Sequence, residues 1–181
     1  MFLFKNIHYM ADKITKEQRH FTMAAIHSKD TKPEMIVRRY LWHHGFRYRL
    51  NHPRLPGKPD IVLLKYRTCI FVNGCFWHGH HVSVEHIEST ECCRLPSTNR
   101  KFWEKKILRN MERDKIVQNK IEELGWHYIT IWECDLVPQK CDSTLISLEY
   151  TLNSIFLHDR KVARPYVIPE EMRLLAAEEQ M

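Results

Sequence analysis

The chain has 181 residues, enough for one compact domain that buries its own core. Its 28 Lys+Arg against 22 Asp+Glu leave +6, an excess that matters only where it is concentrated, and no apolar run approaches the roughly 20 residues that span a bilayer. The opening MFLFKNIHY is too short and polar for a signal peptide, so the cytoplasm is the expected compartment; six cysteines in that reducing setting point to metal ligation before disulfides.

Met10 begins MADKITKEQRH, which reads as a natural start. We therefore divide the chain into an N-terminal extension over residues 1–10, a domain over 11–158 and a tail over 159–181. Thr15 followed by Gln18, and Thr31 followed by Glu34, match the capping box that opens a helix by satisfying free backbone N–H groups. Two helices are expected, the second from about Pro33 to His44 and ending at Gly45. Phe46 to Leu50 reads as a short strand. NHPRLPGKP, with three prolines and a glycine, is a loop that delivers Asp60 to the start of the next strand. IVLLKY and CIFV are β-rich apolar runs separated by Arg67 and Thr68, as in a hairpin inside a sheet. Residues 74–98 lack periodicity, 99–124 read as one long helix stopped at Gly125, Trp126 to Trp132 as a strand, and 142–157 as a helix. Pro169 with Glu170 and Glu171 suggests a short helix in the tail. The order α, α, β, β, β, α, β, α predicts an α/β fold with a mixed central sheet flanked by helices.

Cys75, His80, Cys92, Cys93 and Cys134 offer the thiolates and imidazole that zinc prefers, and four of them can close a tetrahedral structural site. Only one of the adjacent pair is needed; Cys93 is preferred, with no geometric reason that excludes Cys92. The bland alternative is a set of unligated core thiols; Cys69, in an apolar strand run, and Cys141, near a helix start, read as ordinary core or surface thiols. Pro59-Asp60 at a strand start is how many nucleases present a carboxylate to Mg²⁺. The companion acidic-x-Lys motif is missing from Phe71-Val72-Asn73-Gly74, so a proton-transfer group must come from elsewhere, and His78 is the candidate. Glu34 reads equally as a helix cap and as a catalytic acid. Between 100 and 120 the long helix carries eight basic residues against Glu104, Glu112 and Asp114, a concentration suited to phosphates. Its apolar stripe, Trp103, Ile107, Val117, Ile121 and Leu124, is interrupted by Asn110 and Asp114, which hints at a site. Phe76 and Trp77 are either core or rigid wedges between bases.

These residues resemble those of the very short patch repair endonucleases, the Vsr family, which nick one strand beside a T·G mismatch left by deamination of 5-methylcytosine. The resemblance covers most of residues 11–137 and is carried by TMAAIHSKDTKPE, LPGKPDIVL, FVNGCFWHGHH, TNRKFWEKKILRNMERD and GWHYITIWEC. It implies a restriction-endonuclease-like core, catalytic Mg²⁺ at Asp60 with help from the backbone carbonyl of Val72, and Glu34 and His78 in the water and proton network. It also implies a structural Zn²⁺ at Cys75, His80, one of Cys92 and Cys93, and Cys134. Phe76, Trp77 and Trp103 match the family's intercalating aromatics, and the first helix is expected to approach the minor groove. The implied partner is double-stranded DNA with a T·G mismatch, with mismatch-repair proteins downstream, no membrane, and a monomer as the working unit. Two departures stand out. Asn73 lies where family members carry His or Asp, and Val82 to Thr90 looks inserted before the third zinc ligand. The competing readings are a zinc-stabilised DNA-binding module without catalysis and a related nuclease with another DNA target.

Overall fold

The computed structural model describes Thr15, Gln18, Phe21, residues 29–85 and residues 87–160, together with the backbone of 161 and 162. Thr15 and Gln18 exchange the expected capping bonds, at 2.9 and 3.2 Å; the rest of the helix they open, the N-terminal extension and the predicted tail helix lie outside the described residues. Helix α1 (Lys32–His43) starts on the predicted box, with Thr31 accepting from the Glu34 N–H and Glu34 accepting from the Thr31 N–H. It is stopped by Gly45 at φ +81°, where a residue with a Cβ is disfavoured.

The strand expected from Phe46 is shorter: β1 is Arg49–Leu50 alone. Phe46 is 4% exposed and its N–H bonds back to the Leu41 carbonyl at 2.9 Å, so it closes the helix end and fills the core instead of joining the ladder. Strands β2 (Ile61–Leu63) and β3 (Thr68–Asn73) form the predicted antiparallel hairpin, paired Ile61↔Ile70 to Leu63↔Thr68. The run IVLLKY does not stay extended throughout. Leu64–Tyr66 is a 3₁₀ turn ending in left-handed Arg67. A four-residue helix, α2 (Cys75–His78), follows β3, and the long helix α3 (Arg100–Glu123) stops at Gly125 as expected. Strand β4 (His127–Trp132) then lies parallel to β3, from Thr68↔His127 to Asn73↔Trp132. A 3₁₀ segment, Glu133–Leu136, leads to α4 (Cys141–Val162), which runs past its predicted end at 157.

The four strands are ordered β1-β2-β3-β4, a mixed sheet whose period-2 alternation sorts its side chains into two cores. Ile61, Leu63, Ile70 and Ile131 pack with Val37 and Leu41 of α1 and with Leu145, Leu148 and Leu152 of α4. Val62 and Cys69 face the other way, against Leu55 and against Ile121 of α3. Helices thus cover both faces. Cys69 is a core thiol, as expected, and burial pushes it up to about 12; Cys141 is half-buried against the first core. The predicted stripe of α3 ends at Ile121, because Leu124 is 52% exposed. Two contacts need glycine. An added Cβ at Gly57 would fall 2.5 Å from Val117, and one at Gly79 would fall 2.8 Å from Ile107 and 2.7 Å from Met111. These close approaches seat the Asp60 loop and α2 directly on α3. Among the described residues no helix is long and apolar enough to cross a membrane.

Candidate active site and metal centre

Because β2 runs antiparallel to β3 and β4 runs parallel to it, the start of β2 and the ends of β3 and β4 meet at one edge of the sheet. A cleft of about 760 Å³ opens there, lined by Glu34, Asp60, Asn73, His78, Asp114 and Glu133 among others. Asp60 presents its carboxylate with Oδ2 held by the Val72 N–H at 2.8 Å. Burial raises its pKa above the ordinary carboxylate range; the Val72 N–H opposes this, Glu34 adds repulsion, and Arg38 and His78 pull it down. A cation held at this carboxylate would favour its ionised form. Val72 meets Asp60 through its N–H, whereas the family resemblance invokes its carbonyl.

Glu34 is 3% exposed, and the capping role read from sequence is present. Its Oε1 accepts from the Thr31 hydroxyl at 2.9 Å, and its Oε2 accepts from the Asp30 N–H at 3.1 Å and from Arg38 at 2.5 Å. Arg38, itself 4% exposed, also pairs with Asp30. A carboxylate so fully engaged acts on Asp60 chiefly through its charge.

The two polar interruptions in α3 now have partners. The Asn110 side chain donates to the Trp77 carbonyl at 2.8 Å, and Asp114 Oδ2 pairs with His78 Nδ1. Both grip α2, which carries Cys75, Phe76, Trp77 and His78 in one turn. An imidazole held at Nδ1 by a carboxylate has its tautomer and orientation fixed, and proton exchange falls to Nε2.

Cys75, His80, Cys92 and Cys134 place their ligand atoms within 4.8 Å of one another. His80 Nδ1 lies 3.5, 3.4 and 3.2 Å from the sulfurs of Cys75, Cys92 and Cys134. Metal–ligand bonds of about 2.3 Å to sulfur and 2.0–2.1 Å to nitrogen give a tetrahedron whose S···N edges are about 3.5 Å, so the cluster has the size zinc requires. Of the adjacent pair the structure brings in Cys92, not the preferred Cys93. The Cys93 sulfur turns instead to the Phe76 carbonyl, 3.9 Å away, and burial pushes that thiol up to about 11. Burial likewise raises the Cys75 and Cys134 thiols, so these two call for a cation to draw off their protons. Burial lowers His80, keeping its imidazole neutral and available as a ligand. The ring is clamped between Trp132 at 4.0 Å and His81 at 3.8 Å.

Phe76, Trp77 and Trp103 form one edge-to-face cluster with centroids 5.1–6.0 Å apart, and the Lys106 ammonium lies 5.2 and 5.3 Å from the two indoles. The three aromatics are half-buried. Sequence reasoning left several contributors to the cleft without a role: Lys58, at φ +50°, Arg113 and Glu133. Asp114 was visible as a break in an apolar stripe, but its partner was not.

A family model described as DNA mismatch endonuclease Vsr matches residues 11–84. The type II nicking enzyme V.NmeAIP of Neisseria meningitidis serogroup A is 47% identical over 127 residues, covering 70% of this chain and 85% of that protein. The DNA mismatch endonuclease Vsr of Escherichia coli K12 is 39% identical over 127 residues, 70% of this chain and 76% of that one. The type II nicking enzyme V.XorIIP of Xanthomonas oryzae pv. oryzae is 36% identical over 146 residues, 81% and 97% of the two chains.

Proposed function

Because the chain belongs to the Vsr family and is an endodeoxyribonuclease, we propose that it nicks one strand of a duplex 5′ to the thymine of a T·G mismatch. In this reading the fold is restriction-endonuclease-like, with Mg²⁺ at Asp60 and a structural Zn²⁺ at Cys75, His80, Cys92 and Cys134. The observation that carries it is the meeting of Asp60 and the His78–Asp114 pair in one cleft, with His78 on the turn of helix that also bears Phe76 and Trp77.

When bound, Mg²⁺ neutralises charge developing on the scissile phosphate and eases ionisation of water. Asp60 offers it the hard oxygens it prefers, and the Val72 N–H holds that carboxylate's aim. The Val72 carbonyl would be a further ligand, as the family resemblance implies. His78 moves the proton through Nε2 while Asp114 fixes the ring. Asn73, 8% exposed and lining the cleft, can orient water but not accept its proton, which leaves that work to His78. Glu34 sets the field around Asp60 and orders the water network. Phe76, Trp77 and Trp103 enter the base stack as a wedge, and the basic residues of α3 track phosphates. One nick needs one active site, so the enzyme works as a monomer and passes the nick to mismatch-repair proteins.

Family membership sets aside a non-catalytic zinc module. A second reading keeps the chemistry and changes the target, and it is favoured by the relatives named as type II nicking enzymes. The test of the mechanism is Asp60→Ala. Its circular dichroism and zinc content should match the wild type while nicking of a T·G duplex with Mg²⁺ disappears. Nicking at the normal rate by purified Asp60→Ala would remove Asp60 from the chemistry.

A further inference from the structure

We propose that Glu133 is a positioning residue for the nick: from the end of β4 its carboxylate holds the start of α2 and so sets the aim of Trp77 and His78. The inference rests on the reading above, in which those two side chains serve the reaction. Helix α2 is a single turn, and Gly74 at its N-cap makes no side-chain capping bond. A short helix without a cap leaves its first N–H groups exposed and its orientation loose. Here the cap arrives from another strand: Glu133 Oε1 accepts from the Cys75 N–H at 2.9 Å.

The parallel register makes this contact. Asn73 pairs with Trp132, so the chain leaves the two strands side by side, Gly74 and Cys75 against Glu133 and Cys134. The carboxylate is seated against Gly74, where an added Cβ would lie 3.7 Å from Oε2 and 3.2 Å from the Trp77 ring. Glu133 itself is exposed in the wall of the cleft, so it adds little to the core. Helix α3 holds α2 through Asn110 and Asp114; on the sheet side the Cys75–Cys134 cluster tethers its first residue, and Glu133 adds the hydrogen bond that fixes the orientation of its first N–H. Without the Glu133 bond the start of α2 keeps only its Cys75 tether, and it can pivot there and carry the imidazole away from Asp60; misplacement of a catalytic group by about 1 Å costs on the order of 100-fold.

The role requires an acceptor of the right length, not a negative charge. Glu133→Gln keeps a carbonyl at the same reach, Glu133→Asp keeps the charge one methylene short, and Glu133→Ala removes both. Zinc content, duplex Kd and single-turnover nicking at saturating protein should be measured for each with a T·G duplex and Mg²⁺. We expect one zinc per chain and a Kd within about threefold of wild type for all, nicking by Glu133→Gln within about threefold, and losses of at least about tenfold for Asp and Ala. Should Glu133→Ala fail to fold, the Gln and Asp variants decide the matter by the same criterion. Wild-type rates in Asp or Ala, or a Gln variant as slow as they are, overturn the inference. A wild-type enzyme that leaves every duplex intact overturns the underlying reading instead.

Discussion

The choice between adjacent cysteines gives a prediction whose size follows from the geometry. Cys92 Sγ is 3.4 Å from His80 Nδ1, while Cys93 Sγ faces a backbone carbonyl. In the proposed zinc site Cys92→Ala therefore deletes one of four ligands, and Cys93→Ala deletes only a fully buried sulfur. Structural zinc contributes roughly 10–16 kcal/mol of apparent binding free energy in small metal-folded domains, so one ligand in four corresponds to about 3 kcal/mol. For a chain of this size each kcal/mol moves Tm by about 2–4 °C, giving a fall of about 6–12 °C for Cys92→Ala. Loss of the Cys93 sulfur costs about 1 kcal/mol, or about 2–4 °C. Zinc per chain after dialysis, by atomic emission, with thermal unfolding followed by circular dichroism, reads both effects. Cys92→Ala should fall well below one zinc per chain and Cys93→Ala should retain one. The reverse pattern, or full zinc in both, refutes the ligand set.

Two further perturbations probe separate parts of the molecule. Asp114→Asn keeps the shape but removes the carboxylate that pairs with His78. Single-turnover nicking should fall by about 10² or more, and adding Asp114→Asn to His78→Ala should slow it no further, because residues acting as a unit are not additive; independent losses would separate them. At the α1–α4 junction the Tyr40 hydroxyl donates to Glu149 at 2.8 Å, and Tyr40→Phe should cost about 1–3 kcal/mol in urea unfolding at pH 7. Burial and the Glu149 carboxylate raise Tyr40 to about 12, above the roughly 10 of an unfolded chain. The protonated phenol is therefore favoured in the fold, and its contribution is complete below about pH 10 and lost as pH rises through about 12. The gap between wild type and Tyr40→Phe should close over that window. A gap that is constant to pH 12 contradicts the assignment.

Local signals carried much of this fold. The Thr31–Glu34 box, Gly45 and Gly125 mark helix ends by chemistry confined to a few residues, and the continuous apolar runs of β2 and β3 mark strands that lie inside a sheet. Where the sequence misled, a tertiary contact had won. Phe46 left its strand to fill the core, and Leu64 to Tyr66 form a 3₁₀ turn that sets Tyr66 against Phe46 and Phe156. The Cys/His cluster shows the same limit: the aperiodic stretch Val82 to Thr90 hides how the chain re-enters it, so spacing left Cys92 and Cys93 equivalent. The partners Asn110–Trp77, Asp114–His78 and Glu133–Cys75 lie 33, 36 and 58 residues apart, beyond the reach of any periodicity. Only the break that Asn110 and Asp114 leave in the apolar stripe of α3 was legible.

The central claim is tested most directly by incubating the purified protein with labelled T·G-mismatched and fully paired duplexes of one sequence, with Mg²⁺ or with EDTA, and resolving the strands on a denaturing gel. The account predicts a single cut 5′ to the mismatched thymine, in the T·G duplex with Mg²⁺ alone. Equal cutting of the paired duplex, or cutting that survives EDTA, contradicts it.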